Sequence, residues 1–256
     1  MPPRFSLLMA TFKLTLGYDG TDFCGWQAQP EQRTVQGELE AAWQEITGEK
    51  VRVTATSRTD SGVHALGQVV GVQTESLLPA SELFGGVNAK LPSDVVLLRI
   101  ESASSEFHAT HDARQKRYRY QIHNDRCRPL FDRSRVWHVP QPLDVAAMHR
   151  AGQVLAGTHD FASFQSAGSE RESTVRTIFA VDVTRGVGEL APQVLIEVEG
   201  DGFLYNMVRI IVGTLVEVGS GRRDENSLST VLAACDRQSA GKTAPPQGLI
   251  LLRVEF

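Results

Sequence analysis

The sequence predicts an α+β protein made of two similar halves. Apolar residues alternate along several short segments, other segments carry apolar residues at helical spacing between capping residues, and both halves follow the order strand, helix, strand, strand, helix, strand. This βαββαβ order is that of the ferredoxin-like fold. We therefore expect two ferredoxin-like halves, residues 1–110 and 111–256, joined into one largely antiparallel mixed sheet with a central cleft.

The first half begins with a strand in which alternate residues are apolar: Phe12, Leu14, Leu16 and Tyr18. A helix follows, capped by Thr34 and ended by Gly48, and its apolar side is formed by Val35, Leu39, Trp43 and Ile46. Strands at 51–56 and 68–72 flank a loop. A helix at 81–90 and a strand at 95–100 complete this half.

The second half repeats the order with different residues. Its first strand places Tyr118, Tyr120 and Ile122 on one face, and Asp144 opens a helix that carries Val145, Met148 and Leu155 at helical spacing. Strands are expected at 178–184 and 194–199. An apolar stripe predicts a helix from Leu204 to Val218 that stops at Gly219, and an extra helix at 225–235 and a strand at 249–256 follow.

Composition and charge are those of an ordinary globular protein, with a net charge of −4 over 256 residues. No apolar run is long enough to span a bilayer, and the stretch at 5–10 is too short for a signal-peptide core. The three cysteines (Cys24, Cys127 and Cys235) are an odd number without metal-type spacing. We therefore expect neither a disulfide framework nor a zinc site, and a cytoplasmic location fits best.

Basic residues cluster between Arg114 and Arg135, where eight arginines and lysines accompany only Asp125 and Asp132. Such a cluster suits a phosphate backbone, because arginine can contact phosphate groups through two hydrogen bonds. A solvated, arginine-rich surface is the alternative, and the sequence leaves both open. If RNA is the partner, it should bind a localised site, and its affinity should fall as salt rises.

The most informative segment is the loop at 57–65, which contains Arg58, Thr59, Asp60, Gly62 and His64 between two strands. Loops held by a rigid scaffold often carry catalytic groups. The Asp60 carboxylate is the one group here that can act as a nucleophile without an activating base. The alternative is a strand-connecting turn in which Asp60 only caps backbone amides.

This loop resembles the Arg-Thr-Asp-(Ala/Ser)-Gly-Val-His catalytic loop of the tRNA pseudouridine synthase A family. Further segments match the family's other motifs in order and are spread over most of the chain: 18–27, 107–109, 116–120, 160–164 and 203–209. The resemblance implies two RNA-recognition-like halves with the active site in the cleft. It also implies a homodimer whose two subunits both touch the RNA.

The implied activity is an isomerase that converts uridine to pseudouridine at positions 38, 39 and 40 in the anticodon stem-loop of tRNA. The reaction breaks the C1′–N1 bond and forms a C1′–C5 bond, without redox change or energy input. No cofactor is therefore expected, and the sequence contains no Gly-rich phosphate loop or metal-ligand cluster. Because the target bases lie in a stem, they must be extruded to react.

The resemblance assigns roles to five residues. Asp60 is the nucleophile, although attack at C1′, attack at C6 and assistance of a glycal all remain open. Arg209 is its ion-pair partner across the cleft, and Arg58 intrudes into the RNA to hold the target nucleotide out. Tyr118 stacks on the flipped base, and whether it also takes the C5 proton is open. Leu204 completes an apolar floor under the base or is ordinary helix core.

RNA contacts are expected from a second set of residues: Phe107, His108, Ala109, Thr110, His111 and, from the basic cluster, Arg114. A metal pair formed by His108 and His111 is a weaker alternative, because no cysteine or carboxylate partner stands nearby. The segment 166–177 is expected to contact tRNA. Trp26 and Gln27 either line the RNA surface or are core residues, and His64 is expected to be hydrogen-bonded within its own loop.

Other classes of function compete with this interpretation. A catalytically silent RNA-binding module on the same fold would be free to lose Asp60, Tyr118 or Arg209, and all three are present. An unrelated hydrolase would need a base to activate water, which the sequence does not suggest. A related synthase with another RNA target shares the same chemistry, so the motifs around Asp60 do not separate it from the first interpretation.

Overall fold

The computed structural model describes residues 9–168 and 173–256, which form two compact units. The first comprises the described residues up to Ala113 together with Phe256, and the second comprises those from Arg114 to Glu255. The stretch at 5–10 considered above lies outside the described residues except for its last two, and the expected RNA-contacting segment 166–177 is described only in part. Among residues 9–168 and 173–256, no helix has the length and apolar character needed to cross a membrane.

The first unit contains the four strands and two helices that the sequence predicts. They are β1 (Ala10–Tyr18), α1 (Val35–Thr47), β2 (Thr54–Ala55), β3 (His64–Thr74), α2 (Ala80–Lys90) and β4 (Val95–Ala103). The strands lie in the order β4-β1-β3-β2, and each pair is antiparallel. This is the strand order of a split βαβ fold.

Helix α1 shows how local sequence determines an element. The Thr34 hydroxyl accepts a hydrogen bond from the Gly37 N–H, and Gly48 ends the helix in the left-handed conformation with φ of 73°. The buried side of the helix carries Val35, Leu39 and Trp43, as its apolar spacing predicts. The predicted limits of this helix are confirmed at both ends.

The second unit has the same plan with additions. Its elements are β5 (Gln115–His123), β6 (Trp137–His138), α3 (Val145–Gln153), β7 (Gly157–Asp160), β8 (Val175–Arg185), β9 (Gln193–Gly200), α4 (Met207–Gly219), α5 (Ser227–Ala234) and β10 (Leu249–Glu255). The strands run in the order β10-β5-β9-β8-β7, with antiparallel pairing, and β6 pairs with β5 in parallel. The α+β class and the largely antiparallel pairing are confirmed.

Some predicted boundaries are wrong for identifiable reasons. The strand expected at 51–56 contributes only Thr54 and Ala55 to the sheet, and β3 begins at His64, four residues before the predicted start at Gln68. Helix α4 begins at Met207, not at Leu204, because Asn206 adopts φ of 61°, a left-handed conformation that an α-helix cannot continue through. The short strands β6 and β7 were not predicted, since neither shows apolar alternation.

Candidate active site

The Asp60 loop connects β2 to β3 in the first unit. Its tip is a turn in which the Val63 N–H donates to the Asp60 carbonyl over 3.1 Å, with Gly62 at φ of 77°. Within the loop, Arg58 is exposed, Thr59 is buried and Asp60 is half-buried. The loop therefore presents the Arg58 side chain to solvent, while the buried Thr59 anchors the backbone between Arg58 and Asp60.

The segment that follows β1 fastens this loop on both sides of Asp60. The Tyr18 and Thr59 hydroxyl oxygens lie 2.8 Å apart in a buried hydrogen bond, and the Trp26 N–H donates to the Thr59 carbonyl over 3.0 Å. After Asp60, the Ser61 hydroxyl donates to the Phe23 carbonyl over 3.0 Å. The two segments that the family resemblance singled out, 18–27 and 57–65, are thus one packed substructure.

Glycine is required where these two segments approach most closely. A Cβ atom on Gly20 would lie 2.0 Å from the Val63 carbonyl oxygen, and one on Gly25 would lie 2.8 Å from the Thr59 carbonyl oxygen. Gly25 also has φ of 90°, which residues with a side chain rarely adopt. Any larger residue at Gly20 must therefore move the backbone of the loop.

His64 and Trp26 serve this packing. The Gly20 N–H donates to His64 Nδ1 over 3.0 Å, and Asp19 Oδ1 lies 3.1 Å from the same nitrogen. Both partners of this nitrogen belong to the 18–27 segment, which His64 faces from the start of β3. Trp26 is fully buried, so it is a core residue and does not line a surface.

The second unit carries the predicted tyrosines on β5, and the structure distinguishes them. Tyr120 is fully buried, and its hydroxyl donates to the Pro245 carbonyl over 2.7 Å. Tyr118 is 8% exposed, and its ring packs edge-to-face on Phe203 with centroids 5.1 Å apart. Alternation along the strand could not separate these residues, whereas their burial and partners do.

Arg209 lies in the first turn of α4 and is held by its own unit. Its Nε donates to the Ala244 carbonyl over 2.8 Å and its Nη1 to Asn206 Oδ1 over 2.7 Å. The Ala244 N–H donates in turn to the Arg209 carbonyl over 3.0 Å. Leu204 is buried in the turn before α4, where its carbonyl accepts from the Met207 N–H, so it is not a helix residue.

The expected RNA-contacting residues form a turn after β4. His108, Thr110 and His111 are exposed, Phe107 is half-buried, and Ala109 is fully buried. Nδ1 of His108 accepts from the N–H groups of Thr110 and His111, both over 3.3 Å. The exposed side chains are therefore available to a ligand, whereas Ala109 anchors the turn.

The two histidines of this turn have ring centroids 4.1 Å apart. No group of three or more histidine, cysteine or carboxylate side chains suited to a metal ion occurs in the part of the chain that the structure describes.

The seven arginines of the basic cluster divide into two parts. On β5, Arg117 contacts Glu197 at 2.5 Å and Glu199 at 3.0 Å, and Arg119 contacts Glu197 at 2.5 Å. These two arginines are already paired with carboxylates of β9. The other arginines, outside β5, are exposed: Arg114, Arg126, Arg128, Arg133 and Arg135.

Sequence reasoning missed the buried polar residues that hold the Asp60 loop, chiefly Gln68. The available signal was an uncharged polar residue inside an otherwise apolar strand, between Gly67 and Val69. A fully buried amide in such a position requires hydrogen-bond partners, and here they belong to the loop.

The comparisons with known proteins agree with the resemblance. The family model described as tRNA pseudouridine synthase matches residues 16–112 and 151–256. A tRNA pseudouridine synthase A of Brevibacillus brevis is 46% identical over 97% of this chain and all of the relative. One of a Geobacillus species is 47% identical over 95% of this chain and 97% of the relative.

A more distant likeness is to a crystal structure of a Cbf5–Nop10–Gar1 complex. The TM-score is 0.36 at 13% identity, with 93% of this chain and 57% of that chain covered. This likeness is too weak to define the fold.

Proposed function

The chain belongs to the family of tRNA pseudouridine synthases, and we propose that it converts uridine to pseudouridine at positions 38, 39 and 40 in the anticodon stem-loop of tRNA. The observation that carries the proposal is that the family match includes the Asp60 loop, whose backbone is hydrogen-bonded to the 18–27 segment before and after the carboxylate. Such fastening suits a group that must meet a substrate atom in a defined position.

The proposed chemistry begins with the Asp60 carboxylate. It attacks C1′ of the ribose or C6 of the base, or assists formation of a glycal. In each case the C1′–N1 bond breaks, the uracil turns, and C5 bonds to C1′. The C5 proton is released and N1 gains a proton, so the product is an isomer of the substrate. No oxidant, reductant or energy source enters this balance.

The remaining site residues receive roles that follow from what they can offer. Arg58 is exposed next to the turn, so it can enter the RNA and hold the target nucleotide out of its stem. Tyr118 offers an aromatic ring for stacking on the uracil, an interaction of about 1–3 kcal/mol per base. Leu204 supplies an apolar surface. The pairing of Arg209 with Asp60 stays a prediction of the family resemblance.

The proposed partner is the anticodon arm of tRNA, bound by a homodimer in the cytoplasm. The exposed arginines of the basic cluster and the exposed side chains of the 107–111 turn supply positive charge and hydrogen-bond donors for RNA. Cys24, Cys127 and Cys235 are exposed free thiols, which suits a reducing compartment.

The test is tritium release from tRNA labelled at uridine C5, because forming the C1′–C5 bond must expel that hydrogen. We expect release by the wild type and none by Asp60→Asn, with tRNA binding by gel shift retained in both. Asp22→Asn is the matched control: it removes an exposed carboxylate of the 18–27 segment and should leave release unchanged.

Two results would contradict the proposal. Absence of release by a wild-type protein that still binds tRNA would favour a silent binding module or another RNA substrate. Release by Asp60→Asn equal to that of the wild type would remove Asp60 from the chemistry. Mapping the modified uridines in the product tests the positions separately.

A further inference from the structure

Gln68, on β3, is fully buried and contacts the backbone of the Asp60 loop directly. Its Nε2 donates to the Ser57 carbonyl over 2.6 Å, and its Oε1 accepts from the Ser57 N–H over 3.3 Å. One side-chain amide thus satisfies both backbone groups of a single loop residue. Ser57 immediately precedes Arg58 and stands three residues before Asp60.

These two hydrogen bonds continue the pairing of β2 with β3 beyond the point where backbone-to-backbone hydrogen bonds end. Thr54 and Ala55 pair with β3, and the Thr56 N–H still donates to the Val69 carbonyl over 2.9 Å. At the next position the strand partner is the Gln68 side chain in place of a backbone group. The carboxamide carries the same donor and acceptor as a peptide unit, so it extends the ladder by one residue into the loop.

Gln68 also reaches the residue on the other side of Arg58. Its Nε2 lies 3.4 Å from the Tyr18 hydroxyl, which is in turn 2.8 Å from the Thr59 hydroxyl. Ser57 and Thr59 are therefore both connected to one buried amide. Buried polar networks whose members are satisfied tend to enforce one geometry, because each alternative leaves a donor or acceptor without a partner.

We propose that Gln68 is a positioning residue that sets where the Asp60 carboxylate and the Arg58 side chain stand relative to the bound uridine. Gln68 acts through the backbone of Ser57 and through Tyr18 and Thr59, not on the substrate. The proposal rests on the proposed function above. A displacement of the loop should lower the rate of the chemical step much more than it lowers RNA binding.

The first experiment compares Gln68→Leu with Gln36→Leu. Gln36 is also a buried glutamine of the first unit, but its amide contacts no residue of 57–63; its partners are Gln27, Ala28, Glu40 and Val53. We expect Gln68→Leu to lower single-turnover tritium release about 10- to 100-fold, as for a reacting group misplaced by about 1 Å. The KM for tRNA should change by less than about twofold, because binding is not the step affected.

A readout independent of activity is hydrogen exchange of the peptide that spans 57–63. In Gln68→Leu the exchange of this peptide should accelerate, while it should stay near the wild-type rate in Gln36→Leu. Both variants lose a buried amide, so thermal unfolding should report a similar loss of stability for each. A lower rate of tritium release in Gln68→Leu than in Gln36→Leu would therefore reflect the positioning role and not the loss of stability.

Gln68→Glu provides a second variant, which keeps the shape of the side chain. A protonated carboxyl group can donate to the Ser57 carbonyl, whereas the ionised form can only accept. The rate of Gln68→Glu divided by that of the wild type should therefore rise as pH falls, with unchanged circular dichroism. This pH profile tests the positioning role of Gln68 even if Gln68→Leu does not fold.

The proposal is overturned if folded Gln68→Leu has a wild-type rate, if Gln36→Leu loses as much rate, or if the Gln68→Glu ratio does not depend on pH. Absence of tritium release by the wild type would instead count against the proposed function, so the two failures are distinguishable. The exchange measurement tests the link to the loop in either case.

Discussion

Tyr118 and Tyr120 show how two residues of one strand face can have different chemistry. Burial raises the pKa of the Tyr120 hydroxyl well above its ordinary value, and the nearby Arg209 charge lowers it by less. The hydroxyl is also committed to the Pro245 carbonyl. Tyr120 therefore stays protonated and is excluded as a base. If a strand tyrosine accepts the C5 proton, Tyr118 is the residue to test.

Glu197 forms ion pairs with Arg117 and Arg119 whose contribution to stability should depend on pH. Burial raises the pKa of its carboxyl group, but the hydrogen bond and charge of Arg119, with those of Arg117, outweigh burial and leave the pKa below 4.5. A carboxyl group whose pKa is lower in the folded state than in the unfolded state stabilises the fold at pH values above the unfolded-state pKa. This stabilisation is lost as pH falls toward the folded-state pKa. Glu197→Gln should thus lower the free energy of unfolding near neutral pH by about 1 to 2 kcal/mol, and the difference should shrink as pH falls below the ordinary glutamate pKa toward the lowered pKa of the folded state.

Urea unfolding of wild type and Glu197→Gln across this pH range measures the difference. Glu189→Gln, which changes an exposed glutamate of the same unit, should match the wild type throughout. A difference for Glu197→Gln that stays constant down to about pH 3 would show that the carboxylate charge is not what stabilises this site.

Among the elements, the connection between β2 and β3 is held by contacts from elsewhere in its unit. Its backbone pairs with β3 only as far as Thr56, and the 18–27 segment and the Gln68 side chain hold the residues that follow. Its fixed geometry therefore depends on β1 and β3 being paired in register.

The close contact between Gly20 of the 18–27 segment and Val63 of the loop provides a test of how the loop is positioned. A Cβ atom on Gly20 would lie 2.0 Å from the Val63 carbonyl oxygen, so Gly20→Ala must separate the two segments and shift the Asp60 loop. We expect a loss of about 1 to 3 kcal/mol in stability. Tritium release should fall about 10- to 100-fold.

Gly48→Ala is the matched control for that experiment. Gly48 has φ of 73° at the end of α1, and a Cβ there would meet no atom within 4 Å. The substitution should cost about 1 to 2 kcal/mol through backbone strain alone and leave the rate unchanged. Equal rates for the two variants would mean that the contact between Gly20 and Val63 does not position the loop.

These elements also show which structural features can be predicted from the sequence. The limits of α1 were predictable because Thr34 and Gly48 act on their own neighbours. The start of α4 was not, because the left-handed Asn206 resembles any polar residue until its backbone is known. The fastening of the Asp60 loop joins residues about forty positions apart, as in the bond between Tyr18 and Thr59 (a separation of 41), and periodicity carries no information on such pairs.

On the scale of the whole molecule, charge distribution matters more than total charge. The net charge is −4, yet the sequence places a strongly basic stretch between Arg114 and Arg135. The stretch alone could not reveal that Arg117 and Arg119 face carboxylates, because Glu197 and Glu199 lie some eighty positions away and become neighbours only when β5 pairs with β9, where Arg119 is opposite Glu197 and Arg117 opposite Glu199. The exposed arginines of the stretch lie outside β5, where RNA can reach them.

We therefore expect the salt dependence of tRNA binding to trace to those exposed arginines. Arg114→Glu combined with Arg126→Glu should weaken binding and reduce the slope of log affinity against log salt by about one for each phosphate group that the variant no longer neutralises. Fluorescence titration with labelled tRNA at several salt concentrations measures both quantities. Arg52→Glu, which reverses the charge of an arginine that is 67% exposed and outside the cluster, is the control and should change neither by a comparable amount. If the double variant keeps the wild-type slope, the exposed part of the cluster is a solvated surface and the phosphates are bound elsewhere.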